Sequence, residues 1–111
     1  MNPHFTRFFI DDMRNPPERG WAVARSSREA IDLLQVNGCP KQISFDHDLG
    51  GDDTAMVVVK WMIERDLDGD GKFIPTDFTF RVHSANPVGK ANIEGLLGAY
   101  LRQRTRTNRT S

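Results

Sequence analysis

Cysteine is almost missing from this chain. Cys39 is the only one in 111 residues, which excludes an internal disulfide and fits a reducing compartment. Long apolar runs are missing too: none approaches the ~20 residues of a spanning helix, so no membrane segment is expected. The N-terminal MNPHFTRFF lacks a basic stretch followed by an apolar one and a small-residue cleavage site. No secretion signal is read, and a cytoplasmic setting is expected. Net charge is also absent, 15 basic residues balancing 15 acidic ones. The 38% apolar content is enough for one small soluble domain with a core of its own.

The balanced charge is unevenly spread. Fourteen acids lie between Asp11 and Asp77, whereas the chain after Tyr100 carries Arg102, Arg104, Arg106 and Arg109 with no acid. The segment RQRTRTNRTS has no apolar anchor. It is read as a solvated, disordered basic tail over 102–111, set apart from a domain over 1–101, with a nucleic-acid contact as the rival reading.

Along the chain, residues 7–11 read as a strand, followed by a Pro-rich loop (Arg14-Asn15-Pro16-Pro17) unsuited to a helix. Trp21 to Arg25 alternates as a second short strand. Ser26 with Glu29 forms a capping-box pattern opening a helix that Asn37-Gly38 ends. Gln42 to Phe45 is the third strand. Asp53 or Thr54 caps a second helix running to about Arg65, its Val57-Val58-Val59 triplet notwithstanding. Phe78 to Val82 is the fourth strand, and Asn86-Pro87 opens a helix whose apolar face carries Ile93, Leu96, Leu97, Tyr100 and Leu101. The order β-β-α-β-α-β-α predicts an open, mostly parallel sheet with right-handed connections. Its short edge offers a route to a homodimer.

Ionisable residues sit where three of these strands end. FFI runs into Asp11-Asp12, QISF into Asp46-His47-Asp48, and FTFRV into His83-Ser84. Open α/β sheets bind ligands at the carboxyl ends of their strands, so this edge is the candidate site. Asp11 and Asp12 suit a hard divalent cation, against the plainer reading of Asp residues capping a turn. In Asp46-His47-Asp48-Leu49-Gly50-Gly51, a carboxylate can take a phosphoryl group, bind metal or orient an imidazole, and the glycines let backbone approach an anion. His47, His83, Asp46 and Asp48 are the catalytic candidates. Arg14, Ser84, Asn86 and Lys90 are the candidates for holding the substrate, Asn86 and Lys90 at a helix start that favours anions. Asp66, Asp68 and Asp70 match half of a calcium loop, but Pro75 and the following strand favour a plain Asp- and Gly-rich turn over a Ca²⁺ site.

Together FFIDDMRNPP, ISFDHDLGG and VHSANPVGKANIEGLL resemble the cyclic-phosphate-processing receiver-like domain family of phage and bacterial proteins, over roughly residues 7 to 101. The resemblance implies a small, truncated receiver-like (flavodoxin-like) three-layer fold with a four-stranded sheet. Residue by residue, it matches Asp11 and Asp12 to the receiver acid pair, Asp46 to the phosphoacceptor position and Ser84 to the hydroxyl. No helix is expected between the first two strands and no fifth strand follows, so Lys90 matches the receiver lysine in charge only. His47 and His83 are additions to the receiver pattern. What this implies is metal-dependent hydrolysis of a cyclic phosphate on a nucleotide or RNA end, with a divalent cation (Mg²⁺ or Mn²⁺) on Asp11, Asp12 and Asp46 and with His47 and His83 as acid and base. A binding module without chemistry and a phosphoacceptor switch are the alternatives.

Overall fold

Four short strands build the sheet, two of them (QISF and TFRV) alternating polar with apolar side chains and two (RFFI and AVA) mainly apolar. The computed structural model describes residues 5–110, with side chains through 104. Strands β1 (Arg7–Ile10), β2 (Ala22–Ala24), β3 (Gln42–Phe45) and β4 (Thr79–Val82) pair in the order β2-β1-β3-β4, every pair parallel. Helices α1 (Ser27–Asn37), α2 (Met56–Asp68) and α3 (Pro87–Thr110) follow β2, β3 and β4. The register sets Phe8 beside Ala22 and Ile43, and Ile10 beside Ala24 and Phe45. Because side chains alternate across a strand, these residues and Val82 share one face. On that face they form a single core with Ala30 and Leu34 of α1, Val58, Val59 and Met62 of α2, and Ile93 and Leu97 of α3.

The connections explain why the helices share that face. The steps from β2 to β3 and from β3 to β4 run in the same sense across the sheet, so right-handed crossovers put their helices on the same side. Only the step from β1 to β2 runs the other way, and there the chain is the Pro-rich loop. The receiver-like parallel sheet is present as expected; of the three layers, the described residues build two. The second face carries Phe9, Ser44 and Arg81, in register with one another. Phe9 is covered there by Trp21 edge-on at 5.9 Å and by the His83 ring stacked at 4.4 Å. Arg7 lies over Trp21 and bonds Glu18 and the Arg19 carbonyl, drawing the Pro-rich loop across this face.

Helix ends follow local chemistry, with one reassignment. Ser26 Oγ accepts from the Glu29 amide at 3.1 Å, and Gly38 closes α1 at φ 84°, a value that favours glycine. Asn86 Oδ1 accepts from the Gly89 amide and caps α3. Asp53 and Thr54, by contrast, do not cap α2, which starts after Ala55 without a side-chain cap. The Asp53 carboxylate accepts instead from the Ser27 amide at 2.8 Å, serving the start of α1.

At the opposite end of the sheet from the strand termini, Asp66 is fully buried. It accepts from the Ile74 amide, the Tyr100 hydroxyl and Arg104, at 2.8, 2.6 and 3.1 Å. Arg104 also donates to the Ile74 and Pro75 carbonyls. Helix α3 thus continues past residue 101, and Arg104, read from sequence as part of a solvated tail, is a buried partner. Ser111 lies outside the described residues. No described helix is long and apolar enough to cross a membrane.

Candidate functional site

The parallel register brings the ends of β1, β3 and β4 side by side, and the chain leaves each strand with a different chemistry. After Ile10 the backbone turns sharply, which resolves how two adjacent acids serve one site. Asp11, only 1% exposed, folds its Oδ1 back onto the amides of Met13 and Arg14, both at 2.9 Å. Its Oδ2 meets Nε2 of His83 at 2.9 Å. Burial works against the Asp11 charge, but the Arg14 and Met13 amides and the imidazole outweigh it and hold its carboxyl below the ordinary value.

Arg25, which the sequence reading passed over, holds this turn in place. Its guanidinium donates to the Asp11 and Arg14 carbonyls and to Asn15 Oδ1. No local motif announces that role; it depends on β2 lying beside β1.

Asp46 follows β3, its amide bonded to the Ile10 carbonyl at 2.8 Å. Burial raises its pKa, the neighbouring charge of Asp11 raises it further, and the Ser84 hydroxyl pulls the other way without prevailing. One carboxylate oxygen each from Asp11, Asp12 and Asp46 lies within 4.8 Å of the others. Oxygens on a shared Mg²⁺ sit about 3–4 Å apart, so this all-oxygen set can hold a hard divalent cation with little adjustment. The crowding that raises Asp46 is what a cation would relieve.

A cavity of about 390 Å³ opens over the three acids. One wall is the turn Asp12, Met13 and Arg14, and a second is Asp48 with Gly50 and Gly51. The third is Ser84, Ala85 and Asn86, leading into α3. Gly50 and Gly51 have φ of 93° and 56°, and a Cβ on Gly50 would lie 3.4 Å from Asp12 Oδ2. The positive φ values are what call for glycine here, and the pair supplies the turn.

The two histidines stand one hydrogen bond behind the cavity. His83 bonds Asp11, as above, and its Nδ1 lies 2.7 Å from Ser44 Oγ. His47 bonds Asp48 Oδ1 at 2.9 Å, and its ring rests on Gly89, where an added Cβ would overlap the ring. Asp48 also takes a bond from Asn86 at 3.3 Å. The bonds from His47 and then Asn86 hold the Asp48 carboxyl below its ordinary value.

Of the residues singled out from sequence, Asp11, Asp12, Asp46, Asp48, Arg14, Ser84 and Asn86 converge on the cavity. His47 and His83 contact it through carboxylates rather than lining it. Lys90 is exposed and does not line it. Beyond Arg25, sequence reasoning missed Ser44, which sits inside an apolar run, and Met13, which lines the rim while 82% exposed.

No curated protein and no solved structure matches this chain. A sequence profile described as the cyclic-phosphate processing receiver domain matches residues 6–99, which include every strand and all the cavity residues. The chain belongs to the cyclic-phosphate processing receiver domain family.

Proposed function

We propose that the protein hydrolyses a cyclic phosphate carried by a nucleotide or an RNA end, using a divalent cation, Mg²⁺ or Mn²⁺, bound by Asp11, Asp12 and Asp46. The observation that carries this reading is the convergence of those three carboxylates beneath a cavity whose far wall is polar and leads into a helix start. When bound, the cation supplies positive charge for the phosphoryl oxygens and lowers the pKa of an attacking water.

The remaining work falls to the chain. Ser84, Asn86 and Arg14 hold the non-bridging oxygens. Asp48 is the carboxylate that reaches the cavity without belonging to the acidic trio. Kept ionised by its bonds to His47 and Asn86, it accepts the proton of the attacking water. A P–O bond to water forms, one ring P–O bond breaks, and the proton passes from Asp48 to the departing ester oxygen, leaving a phosphomonoester. In this scheme His47 orients Asp48 and His83 orients Asp11, so the two imidazoles position carboxylates rather than touch the substrate.

Purified protein with Mg²⁺ or Mn²⁺ is to be assayed against 2′,3′- and 3′,5′-cyclic nucleotides and a 2′,3′-cyclic RNA end. Turnover is expected, abolished by Asp46→Asn and reduced roughly 100-fold or more by Asp48→Asn. A second reading, capture of the same ligand without chemistry, draws on the fact that neither imidazole lines the cavity. Tight binding with no product identifies that reading. Neither binding nor turnover across the panel removes both.

A further inference from the structure

Ser44 is a hydroxyl where the strand would be served as well by a purely apolar residue. It is 3% exposed, in the middle of β3, on the sheet face that carries no described helix, and it lies outside the cavity lining. Burying a hydroxyl without a partner costs free energy. Its partner here is Nδ1 of His83 at 2.7 Å, reached across the sheet because Ser44 pairs with Arg81, two residues before His83. On the other side Ser44 pairs with Phe9, and the His83 ring lies flat on Phe9, 4.4 Å away at an interplanar angle of 8°. The imidazole thus has a floor, a tether on Nδ1, and a bond from Nε2 to Asp11 Oδ2 at 2.9 Å.

We propose that Ser44 is a positioning residue for the acidic centre: by tethering Nδ1 of His83 it keeps Nε2–H aimed at Asp11 and fixes that carboxylate relative to Asp12 and Asp46. An ionised carboxylate only accepts, so Nε2 carries a proton. Nδ1 shares its hydrogen bond with the Ser44 hydroxyl, a group that can both donate and accept. With Oδ1 of Asp11 occupied by two backbone amides, the His83 bond is the remaining restraint on the carboxylate plane. Partners behind a metal ligand orient it in this way, and their loss weakens metal binding.

The proposal rests on reading Asp11, Asp12 and Asp46 as a cation site, and its test keeps the two separable. Ser44→Ala removes one oxygen and retains the strand; Ser44→Thr retains the hydroxyl. The His83 ring ¹⁵N resonances, recorded without metal, report the tether directly, and Mn²⁺ titration reports the centre. Ser44→Ala is expected to move the ring resonances and to raise the Mn²⁺ dissociation constant roughly 10-fold, with Ser44→Thr within about 2-fold of wild type. Unchanged ring resonances and Mn²⁺ affinity in Ser44→Ala overturn the proposal, as does a Ser44→Thr variant impaired as much as Ser44→Ala. Wild-type protein that binds no Mn²⁺ overturns the cation reading alone, and the ring spectrum still decides the role of Ser44.

Discussion

Asp66 and Asp11 are both buried aspartates, and they are completed in opposite ways. Asp66 has its compensating charge built in: Arg104 contacts Oδ2, Tyr100 donates to the same oxygen, and the Ile74 amide takes Oδ1. Nothing about that arrangement asks for a ligand. Asp11 is held by neutral amides and an imidazole, and its neighbours Asp12 and Asp46 add further negative charge within 4.8 Å. Arg14, on that turn, and Arg25, which reaches it from the end of β2, donate to backbone oxygens and to Asn15. A buried acid with its own arginine is a clamp between α2 and α3. Three crowded acids below a cavity, with their arginines turned to carbonyls, form a group that could hold a cation arriving from outside.

The largest effect that sharpens this contrast is on the clamp. Asp66→Asn leaves Arg104 buried without a counter-charge and is expected to cost about 3–5 kcal/mol in chemical denaturation. A loss below about 1 kcal/mol would show that Arg104 finds other partners and that the clamp is incidental.

At the strand ends the same substitution is expected to change sign. Asp46→Asn removes a carboxyl whose pKa is raised in the folded state, chiefly by burial and then by Asp11. A group raised on folding contributes stability that is present below its unfolded value and lost as pH rises through the folded one. Wild type and Asp46→Asn should therefore differ least near pH 4, with the variant gaining up to about 1 kcal/mol by pH 7 in the absence of divalent ions. Asp11 runs oppositely: its lowered carboxyl contributes stability above the unfolded value of 3.8 that is lost as pH falls through the folded one. Denaturation curves at a series of pH values check both signs. An Asp46→Asn variant less stable than wild type at pH 7 would remove the crowding argument.

The smallest expected effect on stability comes from Gly89. Alanine there gains up to about 1 kcal/mol of helix propensity but places a methyl where the His47 ring lies. The folded state should change little in thermal unfolding, whereas cyclic-phosphate turnover should fall as Asp48 loses its oriented partner. Turnover equal to wild type would detach His47 from the site.

Three of the strand ends were legible because each carries a local signal: a short, largely apolar run, then ionisable residues. Ser26 and Asn86 were legible for the same reason, each being a polar residue directly ahead of a helical pattern. Contacts between residues far apart in the chain carried no such signal. Arg104 meets Asp66 across 38 positions, and in sequence it sits among polar residues that read as solvated. Ser44 meets His83 across 39 positions and was masked by the apolar run around it. Asp53 stands where a cap for α2 belongs, yet its carboxylate reaches α1, 26 positions back. The histidines were found by their residue type, but type alone does not say whether a ring faces a cavity or the carboxylate beside it. Lys90 was chosen for charge at a helix start, yet it is exposed and does not line the cavity.

Calorimetric titration of Mn²⁺ into metal-free protein at neutral pH tests the central claim most directly. One equivalent is expected to bind, with binding lost in Asp12→Asn. No binding to wild type, or binding that Asp12→Asn leaves unchanged, would contradict it.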